Sequence, residues 1–350
     1  MLVHLTTALP PVICGVGDYS LLLAKALRER GTSGNFLIGR YPPPDLPEVV
    51  ERFHVEVLRE HKSRALCRAL EAMGADVVLL QFSGYGYAAR GLCYWLAEGL
   101  SEWKGRACQR RVITMFHELY ASGPPWRSSF WTMPLQRSIA RQLAKLSDAL
   151  VCGREEIADI LARWSSKAIH VLPVFSNIGE LQVPSRLAYR TPTAVIFGQK
   201  PLRERCWRLI WKAKAWLDRM GVKEIIDIGP GQCNVMEVPG IAVRTAGIWH
   251  PKTISKVLAD ARLGITSYED NRLASSGTLA AFLAHGCAVL NLSASGSPKD
   301  RLSYGTHLLS PDDLRPDPEA VALAGNRWYQ EHNLSQTAKR YAAILAQLGG

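Results

Sequence analysis

No apolar run in this 350-residue chain approaches the ~20 residues that a membrane-spanning helix needs. No C-x-x-C pair occurs, and the eight cysteines are scattered with no histidine cluster beside them. That spacing argues against a structural zinc site and for a reducing cytoplasm. The first residues read as a strand, with no basic and apolar leader pattern, so a cytoplasmic location is expected. The phosphate-loop pattern G-x-x-x-x-G-K-[ST] is missing, which excludes a P-loop enzyme. So is any Asp-x-Asp pair. Glu269-Asp270 and Asp312-Asp313 are adjacent residues whose side chains diverge, and no metal is expected. Acid is in deficit: 42 Lys and Arg stand against 31 Asp and Glu, a net charge of +11. An anionic partner follows, of a kind the charge alone does not choose. With no lysine-rich tail and no recognised nucleic-acid motif, nucleic acid is not expected. Peripheral contact with a membrane surface stays open.

What is present is alternation. Strand patterns at 2–7, 35–39, 55–58, 76–82, 111–116, 149–152 and 169–174 are interleaved with helical ones at 19–30, 64–73, 91–103, 135–146 and 155–163. Strands that are apolar on both faces and separated by helices make a parallel sheet covered on both sides. Residues 179–193 hold three structure breakers, mixed charge and no periodicity, and read as an interdomain linker. The alternation then restarts. Strands fall at 194–197, 224–228, 242–245, 263–267 and 288–292, and helices at 205–220, 252–261 and 278–285. A last helix at 335–348 lies beyond the second set. The fold class is therefore α/β, with two doubly wound Rossmann-like domains facing each other across a cleft.

Ligands in such sheets sit at the carboxyl ends of the strands. Four stretches lie there. In the first, Gly15-Val-Gly17 separates strand 2–7 from an apolar helix, with Asp18 standing at the expected N-cap. The stretch is either a tight βα turn or a place where backbone N–H groups meet a ligand. In the second, His117 ends a strand and is followed by Glu118 and a turn-rich loop carrying Trp126 and Trp131. His117 is either a hydrogen-bonded structural residue or a group that holds or deprotonates a hydroxyl. The tryptophans either stack on a sugar or apolar acceptor, or anchor the loop. In the third, "GQKPLRER" offers Lys200, Arg203 and Arg205. In the fourth, Ser275-Ser276-Gly277-Thr278 opens an apolar helix closed by Gly286. That opening is either a plain N-cap or an anion site, and a diphosphate is the natural guest.

Taken in order, "GVGDYSLLLAKALRERG", "TMFHE", "VLPVFSN" and "SSGTLAAFLAHGCAVLN" resemble the GT-B glycosyltransferases over nearly the whole chain. The likeness is strongest to the retaining family that includes sucrose synthases and lipid mannosyltransferases. The resemblance implies an acceptor domain at 1–180, a nucleotide-sugar domain at 192–330 and a terminal helix at 331–350 packing back on the first domain. It implies a nucleotide diphosphate sugar donor, a hydroxyl acceptor and no cofactor. Gly15 and Gly17 match the glycine loop near the donor's phosphates or the acceptor, and His117 matches the histidine beside the transferred sugar. Ser275, Ser276, Gly277 and Thr278 match the loop that holds the diphosphate. Asp18, Glu118 and Trp126 fall on the acceptor side.

Two departures stand out. The retaining family usually carries two glutamates eight residues apart, where this chain has Leu273 and Ala281. Its Gly-Arg and Lys cations are replaced here by Lys200, Arg203 and Arg205, which would take up charge on the departing diphosphate. The expected activity is sugar transfer to a hydroxyl. A non-catalytic partner or sugar-nucleotide sensor, or a nucleotide-sugar epimerase, are the alternatives.

Overall fold

Thirteen strands form two separate sheets in the computed structural model, which describes residues 1–121 and 123–349. The first sheet is built from β1 (Leu2–Thr6), β2 (Gly34–Ile38), β3 (Val49–Val50), β4 (Phe53–Val57), β5 (Val77–Phe82), β6 (Arg111–Phe116), β7 (Ala149–Cys152) and β8 (Ile169–Val171). Their order is β3-β4-β2-β1-β5-β6-β7-β8, parallel throughout except for the short β3. Central strands such as β1 and β6 are buried along almost their whole length, as a sheet covered on both faces requires. The second sheet holds β9 (Thr191–Phe197), β10 (Glu224–Ile228), β11 (Ala242–Gly247), β12 (Ala261–Thr266) and β13 (Ala288–Asn291). It is all parallel, in the order β11-β10-β9-β12-β13.

The chain divides into two compact units, Met1–Leu172 with the segment from Thr337 onward, and Pro173–Gln336. Each sheet belongs to one unit and carries its own apolar core. Both reverse their strand order once, between β1 and β5 in the first and between β9 and β12 in the second. Those reversals are the topological switch points at which open α/β sheets leave a crevice. No helix among the described residues is long and apolar enough to cross a membrane.

Several local expectations need correction. Asp18 is not the N-cap of the first helix: that helix runs Gly15–Arg28 with Cys14 at its cap, and the Asp18 N–H already bonds the Cys14 carbonyl at 2.9 Å. Residues 179–193 do not form a free linker. The Leu181 N–H bonds Ala284 O at 3.3 Å, the Leu187 N–H bonds Glu319 Oε2 at 2.8 Å, and the buried Arg190 guanidinium bonds Ser185 O and Ala261 O. The segment is therefore bound onto the second unit. The expected helix at 205–220 is broken into Lys200–Arg208, a 3-10 turn at Ile210–Ala213 and Lys214–Arg219. Helix Ser128–Leu146 starts earlier than expected and runs through Pro134.

Candidate functional site

In the second unit the switch point gathers loops from three strands. After β9 comes Gly198-Gln199, and Lys200 opens the helix Lys200–Arg208. A Cβ on Gly198 would lie 3.0 Å from Thr278 Oγ1, so the loop after β9 meets the start of helix Gly277–Ala284. After β10, Gly229 approaches even more closely. Its φ is +150° and a Cβ there would sit 2.0 Å from Gly198 O, which only glycine permits.

The loop that follows β10 is held by Arg203. Its guanidinium is 2% exposed and donates to the carbonyls of Gly229 (2.8 Å), Pro230 (3.2 Å) and Gly231. Its Nε lies 3.3 Å from the Asp227 carboxylate, which also accepts from Trp207 Nε1 at 3.0 Å. Burial raises the Asp227 pKa, and the Trp207 and Arg203 contacts oppose that rise. Arg203 was expected at the diphosphate. The structure instead spends its donors on the protein's own loop carbonyls, so it shapes the crevice without presenting a free charge. Lys200 is half-exposed, with Glu204 3.6 Å away along the same helix. Arg205 is exposed, five residues on and so about 140° round the helix from Lys200. The three cations thus face three directions.

At helix Gly277–Ala284, Ser276 is the N-cap, and its buried hydroxyl accepts the Leu279 N–H at 3.1 Å. Ser275 Oγ donates to Arg272 O at 3.1 Å. The side chains of both serines are used locally, while Gly277 is exposed and has open space where a Cβ would stand. Just before them, buried Asp270 accepts from Ser295 N and Oγ, Ser297 N and Tyr304 Oη. Burial alone would raise its pKa, but these bonds together hold it below the usual carboxylate value. Leu273 and Ala281 are both buried.

In the first unit the switch point lies between β1 and β5. Gly17 carries the start of helix Gly15–Arg28 against the exit of β1, where a Cβ would be 2.4 Å from Ala8 O. Gly15 is exposed at the helix start. His117 follows β6, and its Nε2 lies 2.8 Å from Oε1 of the fully buried Gln81 at the end of β5. With the amide assigned this way, Nε2–H donates and Nδ1 keeps its lone pair. The ring packs edge-on against Tyr19, centroids 5.1 Å apart. Burial lowers the His117 pKa to about 4, so at neutral pH the ring is uncharged. Asp18 is half-buried one turn into the same helix, and no donor among the described residues bonds its carboxylate. Burial raises its pKa to about 6. Glu118 is exposed, and Trp126 is 83% exposed. Among the described residues no group of three or more His, Cys, Asp and Glu could hold a metal ion.

The sequence offered no sign of three of these features. Gln81 is an interior strand residue with no pattern around it. The turning inward of Arg203 depends on Asp227, which is far off in the chain. The close approach of Gly198 to Thr278 is legible only once the strand order is known.

Two Rossmann-like domains on one chain, with the second sheet in the 3-2-1-4-5 order of the doubly wound fold, define the GT-B class of fold. Residues 14–174, somewhat under half of the chain, match the family model of the glycosyl transferase 4-like domain. No curated protein matches the sequence. Among solved structures the chain is similar to an α-glucosyltransferase in complex with UDP-glucose and DNA containing an abasic site. The identity is 9% and the TM-score 0.64, over 99% of this chain and 98% of that one. It is similar to an α,α-trehalose 6-phosphate synthase from Burkholderia multivorans, at 10% identity and a TM-score of 0.57, over 99% and 96% of the two chains. A protein assigned as a UDP-N-acetylglucosamine 2-epimerase from Listeria monocytogenes shares the fold at 12% identity and a TM-score of 0.60, over 98% and 95%.

Proposed function

We propose that this chain is a glycosyltransferase that moves a sugar from a nucleotide diphosphate donor to a hydroxyl acceptor. One observation carries the reading. The switch point of the second sheet brings together a cation (Lys200), a glycine-lined loop (Gly198, Gly229 to Gly231) and a capped helix start (Ser276 to Thr278). Helix N-termini and small residues favour an anion that comes close to the backbone. Charge that develops on a departing diphosphate is best stabilised by donors already in place, and this is usually the largest catalytic contribution. Lys200 and the N–H groups of Gly277 and Thr278 would supply it without a metal ion. Arg203 would act through the loop it holds.

In the first unit, Asp18 and His117 divide the work on the acceptor. A general base works best with a pKa near the operating pH. Asp18, raised to about 6, suits that task better than His117, lowered to about 4. The neutral His117 ring would instead hold a hydroxyl through Nδ1. The neighbouring structures that hold UDP or UDP-glucose make a uridine diphosphate sugar the first donor to try.

A second reading rests on Leu273 and Ala281, which are buried and apolar where the retaining family carries carboxylates. A sugar-nucleotide sensor would need no such groups. An epimerase is less well supported, since it needs carboxylates in place of an acceptor pocket. The deciding experiment is a thermal-shift series with UDP, GDP, CDP, ADP and their sugars, followed by donor hydrolysis with and without EDTA. One diphosphate is expected to raise the Tm, by the equivalent of about 2.7 kcal/mol at a hundred times its Kd. Slow metal-independent release of that diphosphate from its sugar supports an enzyme. Binding without release supports a sensor, and no shift with any of them removes both readings.

A further inference from the structure

The segment around the start of helix Ser128–Leu146 exposes large apolar side chains, of which only the two tryptophans have an expected role, stacking on an acceptor or anchoring the loop. Trp126 is 83% exposed, Trp131 71%, Leu135 45% and Phe130 38%. Single exposed apolar residues are ordinary on any protein. Four within ten residues, two of them tryptophan, are not scattered singly. Two of them are also held in place: Trp131 Nε1 donates to Pro125 O at 2.9 Å, and the Phe130 and Trp131 rings meet edge-on at 5.3 Å.

The helix itself is divided along its length. Its buried side is Thr132, Gln136, Ile139, Ala140, Leu143 and Ala144. The exposed side is apolar in the first turns (Phe130, Trp131, Pro134, Leu135) and basic in the later ones (Arg141, Lys145). No Asp or Glu occurs anywhere from 119 to 147, while Arg127, Arg137, Arg141 and Lys145 do. Tryptophan, phenylalanine and leucine beside lysine and arginine is the chemistry of a helix lying in a bilayer interface. The apolar rings enter the headgroup boundary and the cations meet anionic headgroups. Aromatic and basic residues also bind single-stranded nucleic acid, but there the rings stack on bases along a groove that tracks the phosphates. Pro134 and Leu135 add apolar bulk that stacking does not need, and on the helix the exposed cations Arg137, Arg141 and Lys145 follow the apolar residues instead of alternating with them.

We propose that Trp126, Phe130, Trp131 and Leu135, with Arg141 and Lys145, form a docking face for an anionic lipid bilayer. This stands apart from the glycosyl transfer proposed above, because vesicle binding is read without any sugar donor.

The full chain is sedimented with vesicles of phosphatidylcholine alone or mixed with phosphatidylglycerol, at low and at physiological salt. Binding is expected on the mixed vesicles only, and is expected to weaken with salt. A chain of net charge +11 would also bind such vesicles without a docking face, so the charge-neutral variant decides. Trp126→Ala with Trp131→Ala leaves the charge unchanged and is expected to lower the partition coefficient about tenfold or more. Arg141→Glu with Lys145→Glu, all at solvent-facing positions, is expected to do the same with the aromatic residues intact. Absent binding to mixed vesicles, or tryptophan variants that bind like wild type, would overturn the proposal. So would a mixed-sequence single-stranded oligonucleotide that binds through the same tryptophans while vesicles do not.

Discussion

Asp18 is a half-buried carboxylate with no donor bonded to it among the described residues, which makes its ionised form costly. Its pKa rises from 3.8 to about 6, so the folded chain takes up this proton before the unfolded one does. Ionised Asp18 therefore lowers stability above that window, and protonation relieves it as the pH falls. His4 and His117 work in the opposite sense. Burial lowers each from 6.5 to about 4, so the unfolded chain binds their protons first and stability falls as the pH drops between those values. Asp18→Asn is expected to raise the Tm at neutral pH, with the gain disappearing near pH 4. The same change should remove the acid limb of kcat/KM near pH 6, where Asp18 protonates and ceases to act as a base. A higher Tm with full activity would make Asp18 a bystander. His117→Ala is expected to cut turnover about 10²-fold, the scale at which a misplaced reacting group is felt. Diphosphate affinity measured by titration calorimetry should barely change, since the proposed diphosphate site is in the other unit.

At the scale of elements, much of the fold is written in the strand patterns. Every strand but the two-residue β3 overlaps an expected run, and the central ones are legible because a doubly covered parallel sheet leaves no polar face to confuse the pattern; the edge strand β11 is largely exposed. Helix Pro318–Gln330 is not among the expected helices although its signal is local. Asp317 caps it by accepting the N–H groups of Glu319 and Ala320, and Pro318 sits at the first helical position. The breaks within 205–220 are not legible, since the apolar pattern runs on across them and Trp207, Ile210, Ala213, Trp216 and Leu217 are all buried. Nor is the fate of Arg203, a charge that reads as available until Asp227 and three carbonyls are found around it. Arg203→Met would leave Asp227 buried without its partner and is expected to cost about 3–5 kcal/mol in urea unfolding. Ser276→Asp tests the neighbouring element without that penalty, because aspartate caps a helix as well as serine does. It should keep the Tm and weaken nucleotide diphosphate binding by setting like charge against the phosphates. Equal binding by the variant would move the donor away from helix Gly277–Ala284.

At the scale of the molecule, the basic surplus and the terminal helix matter most. Helix Leu334–Gly349 starts in one compact unit, and from Thr337 its residues belong to the other. Ala338 and Tyr341 are fully buried and Ile344 nearly so, the last worth about 1.5–3 kcal/mol by burial alone. Tyr341 lies close enough to Tyr19 for each to perturb the other's ionisation, and Tyr19 is the residue whose ring braces His117. A chain ending at Gln336 is expected to lose protease resistance and to melt earlier in the first unit. Unchanged digestion of residues 1–172 would show that the helix is dispensable there.

This helix also sets a timetable. A ribosome releases the chain from its first residue to its last, and a domain made of one continuous stretch can fold while later residues are still being added. The first unit here is not such a stretch. Its large apolar cluster lies within residues 1–172, but the helix that carries Tyr341 to Tyr19 arrives only after the whole second unit has been synthesised. The support behind Tyr19, whose ring packs on His117, is therefore completed only after the second unit, and a nascent chain that stalls before Thr337 carries a first unit without its Tyr341.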